Sequence, residues 1–177
     1  VAKYLVIEGK TYVLELITKV TSNNAVINPT TDAKAGEYYS HYSDLLYVDA
    51  LTQVYNRRFY EELMKKSTRT AGVAMLDIDD FKLYNDVYGH DVGDSALRTV
   101  ARVAKECLKS SDYVIRYGGD ELVLVLPDIS AAEFASTLKQ ICNKVHESII
   151  GGYQHLTLSV SIGGVMMKDE TVAEALQ

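Results

Sequence analysis

At 177 residues, with 47% hydrophobic and 24% charged side chains, the chain has the material for one domain with a real core and a short appendage. Its formal net charge of −6 argues against nucleic-acid binding, which asks for a basic face. It does not argue against a nucleotide, because a bound metal ion reverses the local field. No run reaches the length of a membrane span and no secretory signal opens the sequence, so a cytoplasmic setting is expected. The chain starts at Val1 in mid-pattern, as a piece of a longer protein would, and any membrane anchor would lie outside it. Cys107 and Cys142 fall on apolar helical positions and read as reduced core residues.

In chain order, residues 1–21 read as a β-hairpin, with strands over Tyr4–Ile7 and Tyr12–Ile17 around a Glu8-Gly9-Lys10 turn. Gly9-Lys10-Thr11 ends like a phosphate-binding loop, but the upstream glycine is missing and no helix follows, so the hairpin stands. Residues 22–48 read as a linker. Its first part is polar, with loop signals at Ser22-Asn23-Asn24 and Asn28-Pro29-Thr30-Thr31. From Glu37 to Val48, Tyr39, Tyr42, Leu45 and Leu46 fall at helical spacing. That suits either a short helix packed on the domain or the end of a signalling coiled coil.

Residues 49–177 carry the alternating pattern of one α+β domain. A helix from Asn56 to about Lys66 shows Phe59 and Leu63 on its apolar face, and a strand follows over residues 71–79. Asp80-Phe81-Lys82 opens a short helix. Val92 opens a longer one, striped by Leu97, Val100, Ala101, Ala104, Cys107 and Leu108. Tyr113–Ile115 and Leu122–Leu126 read as strands around Gly118-Gly119, a tight hairpin in which glycine enters a positive-φ turn. Ser130 and Glu133 form a capping box for a helix bearing Phe134, Leu138, Ile141 and Val145. Residues 156–162 alternate as one strand, and Thr171 starts a last helix. The order β-α-β-β-α-β is that of a ferredoxin-like split βαβ core.

Two acidic clusters sit at strand ends, Asp77-Ile78-Asp79-Asp80 and Asp120-Glu121. Period-two alternation places Asp77 and Asp79 on one face. If the two strands pair antiparallel, Asp77, Asp120 and Glu121 converge. Three hard oxygen donors suit Mg²⁺ or Mn²⁺ and, through them, phosphates. A calcium EF-hand loop starting at Asp77 fails, because Phe81, Lys82 and Tyr88 would fall on its positions five, six and twelve.

Taken together, these motifs resemble the GGDEF family, the diguanylate cyclase domains of bacterial signalling proteins. The resemblance runs through Asp49-Ala50-Leu51-Thr52, Tyr55-Asn56-Arg57-Arg58-Phe59, Asp77-Ile78-Asp79-Asp80-Phe81-Lys82, Asn85-Asp86, Gly89-His90-Asp91-Val92-Gly93-Asp94 and Arg116 to Leu122. It implies condensation of two GTP to cyclic di-GMP and two pyrophosphates by a homodimer, each protomer presenting one GTP. The alternative is a catalytically silent module that binds GTP or a partner for regulation. The resemblance places two metal ions on Asp77, the Ile78 carbonyl, Asp120 and Glu121, with Asp77, Asp120 and Glu121 as catalytic acids. It places phosphate on Asp80, Phe81 and Lys82, and guanine on Asn85 and Asp94.

The first hairpin resembles the last strands of a PAS-type sensor, implying an upstream sensor in the parent chain. Three departures follow. Leu122 replaces the motif's phenylalanine, a tolerable apolar exchange. Lys109-Ser110-Ser111-Asp112 stands where the family has an Arg-x-x-Asp inhibitory site, and lysine lacks the bidentate arginine fork. The family's terminal Ala-Lys-x-x-Gly-Arg-Asn segment is not present before Gln177, so the domain is expected to be C-terminally incomplete, binding GTP weakly.

Overall fold

The computed structural model describes residues 3–7, 10–14, 46–150 and 153–177. The chain falls into two compact units, Val1–Tyr39 and Ser40–Gln177. In the first, β1 (Lys3–Ile7) and β2 (Lys10–Leu14) pair antiparallel, with Ile7 opposite Lys10. Lys10, expected in the turn, is thus already in the strand. The linker expected over 22–48 lies outside the described residues except at its end. There Leu46 and Tyr47 are helical and Val48 bridges Tyr55.

The second unit begins with α1 (Arg57–Phe59), which runs on as a π-helical turn over Tyr60–Met64. There follow β3 (Ala71–Ile78), α2 (Phe81–Tyr88), α3 (His90–Cys107), β4 (Tyr113–Arg116) and β5 (Glu121–Pro127). Next come α4 (Ala131–His146), β6 (Ile149–Ile150), β7 (Tyr153–Thr157), β8 (Val160–Met166) and α5 (Val172–Ala175). The sheet order is β4-β5-β3-β8, every neighbouring pair antiparallel. This is the expected ferredoxin-like arrangement, with its first and third strands in the centre. β6 and β7 form a separate two-stranded sheet.

Both faces of the central strands are covered. Ala74, Leu76 and Ile78 of β3 and Leu122, Leu124 and Leu126 of β5 pack against α3 and α4. The alternate positions, Val73, Val123 and Val125, pack with Phe59, Tyr60, Met64 and Val172 on the other side. A strand buried on both faces reads as a continuous apolar run, which is how both appear in the sequence. On the helical side, Phe134 lies flat against two glycines. A Cβ at Gly72 or Gly164 would run into its ring.

Three local expectations are corrected. Leu63 is 52% exposed, while Tyr60 and Met64 are buried beside Phe59. The π-turn, closed by Lys65 N–H donating to the Tyr60 carbonyl at 2.9 Å, rotates the apolar face past the position an α-helix would give it. The strand expected over 156–162 is broken. β7 pairs with β6, and Leu158 and Ser159 turn the chain before β8 pairs with β3. The capping box at Ser130 is half made. The Ser130 side chain accepts from Glu133 N–H at 3.3 Å, but the Glu133 carboxylate is held by Lys109 Nζ at 2.7 Å instead. A complete box closes α5, where Thr171 and Glu174 cap each other. Cys107 and Cys142 are free and half-buried, and no described helix is long and apolar enough to cross a membrane.

Candidate active site

Strand register builds the site. β3 and β5 pair so that Asp77 stands opposite Glu121, with Ser161 of β8 opposite Asp77 on its other side. Asp120, the last residue of the turn, precedes Glu121 directly. The end of β3 and the start of β5 are thus side by side, as the antiparallel pairing expected from the sequence requires. Partial burial, then the charges of Asp120, Glu121 and Asp79, push the Asp77 carboxyl above its ordinary value of 3.8. No lysine or arginine pairs with these three acids among the described residues.

Arg116, the nearest cation in sequence, is occupied elsewhere. Its Nη1 donates to Asp49 Oδ1 at 3.2 Å, and its Nη2 and Nε donate to the Gly119 carbonyl at 2.9 and 3.2 Å. Asp49 also accepts from Thr52 N–H at 2.9 Å and Thr52 Oγ1 at 2.6 Å. Burial works against ionising Asp49, but the Thr52 hydrogen bonds and the Arg116 charge outweigh it and hold the carboxyl low. The guanidinium thus ties the 49–52 turn to the turn that carries the acids.

Gly118 is needed for a different reason from the expected one. Gly89 is the described glycine with positive φ, and neither Gly118 nor Gly119 adopts it. A Cβ at Gly118 would collide with the Glu121 carboxylate, whereas one at Gly119 would meet nothing within 4 Å. Tyr117 and Gly118 N–H both donate to the Glu121 carbonyl, at 2.9 and 3.3 Å, closing the turn.

Asp79 does not join the acids as a free donor. It lies past the end of β3 and accepts from Ser159 Oγ and Ser161 Oγ, each at 2.7 Å, which lowers its pKa. Among the described residues, no three His, Cys, Asp or Glu side chains close into a metal-holding group. Three like charges at one strand end repel, and they stand open. The donor set still fits a hard cation: carboxylates from Asp77, Asp120 and Glu121, the Ile78 carbonyl, and a negative field with no cation against it.

α2 begins beside these acids. Asp80 takes a left-handed conformation, φ 55°, and makes no side-chain cap. The N–H groups of the first turn therefore have no intrahelical acceptor. Phe81 is half-buried against the core, Lys82 is exposed, and the Tyr84 hydroxyl donates to the Thr157 carbonyl. Asn85 lies so close to α3 that a Cβ at Gly93 would overlap its amide, which brings it next to Asp94. The Asp94 carboxylate is 4.0 Å from Arg98.

Lys109 and Asp112 sit apart, on the loop after α3. Asp112 accepts from the Lys109 N–H at 2.8 Å and Lys109 Nζ holds Glu133. With Gln53, Tyr55 and Lys105 they line a cavity of about 370 Å³. The sequence pattern gave no role to Asp49 or to Ser159 and Ser161. The Asp49-x-x-Thr52 spacing is the one local signal that marks a self-capped turn.

Comparison with known proteins bears on the same residues. The profile described as “Diguanylate cyclase, GGDEF domain” matches residues 46–177. Diguanylate cyclase DosC of Escherichia coli is 36% identical over 138 residues, 73% of this chain and 30% of the relative. The chain thus spans less than a third of that relative's length. Among solved structures, the coiled coil and GGDEF domain of DgcB from Caulobacter crescentus, in complex with c-di-GMP, superposes with a TM-score of 0.71 at 26% identity. That match covers 81% of this chain and 83% of the other. Diguanylate cyclase SiaD from Pseudomonas aeruginosa, in complex with its activator SiaC, gives 0.67 at 28% identity, over 81% of this chain and 62% of that one.

Proposed function

This chain belongs to the GGDEF family of diguanylate cyclase domains, and on that premise we propose that its second unit condenses two GTP to cyclic di-GMP. The observation that carries the proposal is the register that sets Asp77 opposite Glu121 with Asp120 beside them. In each half-reaction the 3′-hydroxyl of one GTP attacks the α-phosphate of the other. The new phosphodiester bond forms as the bond to pyrophosphate breaks, and the second half-reaction closes the ring.

The α2 start receives phosphate oxygens on its free N–H groups, with Lys82 adding charge. The Asp94 carboxylate accepts from the N1–H and 2-amino group of guanine, and Asn85 meets the remaining edge. Asp77, Asp120, Glu121 and the Ile78 carbonyl would hold Mg²⁺ or Mn²⁺, two per site. When bound, these ions neutralise the triphosphate and polarise the reacting phosphorus. Asp120 or Glu121 takes the proton from the attacking hydroxyl. The active form is a homodimer, working as the cytoplasmic output of a sensor in the parent chain.

The test is incubation with GTP and Mg²⁺ followed by mass spectrometry for cyclic di-GMP, alongside an Asp120→Ala variant. Product from the parent chain and none from the variant supports the reading. GTP binding without product under any condition favours a silent regulatory module.

A further inference from the structure

Residues 79–84 lead from the end of β3 into the first turn of α2. Both ends of this bend are tied to one distant stretch, residues 157–161, where β7 gives way to β8. At the first end, Asp79 N–H donates to the Ser159 carbonyl at 3.1 Å. The Asp79 carboxylate accepts from Ser159 Oγ on one oxygen and from Ser161 Oγ on the other, both at 2.7 Å. At the second end, the Tyr84 hydroxyl donates to the Thr157 carbonyl. The stretch is itself anchored, because Leu158 is fully buried and Val160 pairs with Ile78.

The backbone between the two ties is an unfavourable one. Asp80 is left-handed at φ 55°, with no side-chain cap. An L-residue enters that region at a cost and stays where its surroundings hold it. Here they do so from both sides. Asp79 is fixed through its N–H and both carboxylate oxygens, and Tyr84 N–H donates to the Asp80 carbonyl at 3.1 Å. Hydroxyl-to-carboxylate bonds are among the stronger kinds, so the grip at Asp79 is firm.

The same bend joins two parts of the candidate site. Before it stand Asp77 and the Ile78 carbonyl, on a strand paired on both sides. After it come the first-turn N–H groups of α2. Strand pairing fixes the first part, and the direction of the bend decides where the second part points.

We propose that Asp79 is a positioning residue of the cyclase site: by gripping Ser159 and Ser161 it aims the start of α2 at the strand end that carries Asp77. The proposal rests on the cyclase reading and adds a residue that touches neither metal nor nucleotide. Asp79 acts through shape, so its charge matters only as a means of accepting two hydrogen bonds. Asparagine keeps both: its carbonyl accepts from one serine, and its amide donates to the other hydroxyl, which turns to accept.

The experiment compares Asp79→Ala, Asp79→Asn and a Ser159→Ala, Ser161→Ala double variant with the parent, each as the full 177-residue chain. Three quantities are measured: amide hydrogen exchange without ligands, Mn²⁺ affinity without nucleotide, and affinity for a non-reacting GTP analogue with Mn²⁺. Asp79→Ala should speed exchange over residues 79–84 at least tenfold and weaken analogue binding at least tenfold, with Mn²⁺ affinity within twofold. The double serine variant should do the same, and adding Asp79→Ala to it should bring no further loss. Asp79→Asn should stay within threefold of the parent in all three.

Asp79→Asn as impaired as Asp79→Ala overturns the proposal, since charge is then what the site needs. Lost Mn²⁺ affinity in Asp79→Ala also overturns it, by making Asp79 a ligand. Unchanged exchange or unchanged analogue binding in Asp79→Ala overturns it too, and leaves the cyclase reading in place. The expected pattern in a parent chain that yields no cyclic di-GMP supports the positioning and sinks only the cyclase reading. A parent chain that binds no analogue overturns both.

Discussion

Asp77 and Glu121 face each other across the β3–β5 pair, one the last residue but one of its strand and the other the first. Two carboxylates in that relation, with Asp120 adjoining, repel. The raised Asp77 carboxyl binds its proton more tightly folded than unfolded. Stability therefore falls as pH rises through the window above 3.8. Asp77→Asn should raise the Tm at pH 7 and leave it unchanged near pH 3. Mn²⁺ should raise the Tm of the parent chain and not of the variant. Scanning calorimetry at the two pH values, with and without the ion, checks both; a lower Tm for Asp77→Asn at pH 7 would contradict the repulsion.

Asp49 has the opposite sign. Its carboxyl is held below the ordinary value, so its contribution is present above about pH 3.8 and disappears as pH falls through the lowered pKa. Asp49→Asn weakens the Arg116 pair and its Thr52 contacts. It should cost about 1–2 kcal/mol at pH 7, and that cost should vanish at strongly acid pH. Urea unfolding at pH 7 and pH 3 measures the difference. Because Arg116 also holds the Gly119 carbonyl, turnover should fall more than stability alone explains.

The two glycines of the turn should behave differently. Gly118→Ala drives a methyl group into the Glu121 carboxylate and should weaken Mn²⁺ binding at least tenfold with little change in Tm. Gly119→Ala meets no protein atom within 4 Å and should leave Tm and Mn²⁺ affinity unchanged. Any loss of turnover in that variant then reports on nucleotide rather than on the turn. Equal effects of the two substitutions on the metal would refute the steric account.

Feedback by product should be weak. Lys109 is engaged by Glu133, and Asp112 is turned to the backbone of its own loop. Calorimetry with cyclic di-GMP should show no tight binding to the parent chain. Lys109→Arg combined with Glu133→Gln restores the fork and frees it, so the double variant should bind measurably better. Tight binding by the parent chain would overturn this.

Much of the candidate site was legible in the sequence because it depends on strand ends. Two apolar runs that each stop at acids bring those acids together once the runs pair antiparallel, and β3 and β5 do. What stayed hidden depends on contacts between distant residues. Asp49 and Arg116 are 67 positions apart, and Asp79 is 80 and 82 from its two serines. No local pattern announces such pairs. The purpose of Gly118 was misread because glycine suits a positive φ and a crowded carboxylate equally well, and only the backbone angle separates the two. The break between β7 and β8 was invisible because the alternation carries straight through it. The π-turn was missed because one added residue in a helical turn changes which face is buried without changing composition.

The sealing of both faces of β3 and β5 has a consequence for how such a domain can change over generations. Substitutions along the strands trade volume for volume and leave the chemistry alone. Of the side chains along the two strands, Asp77 is exposed, Met75, Glu121 and Pro127 are partly so, and the others are buried. New specificities can therefore be explored where Asp77 and Glu121 emerge, in the turn before β5 and along α2, while the body of the sheet drifts independently. The fold keeps inheritance of its scaffold and experimentation in its chemistry on separate residues.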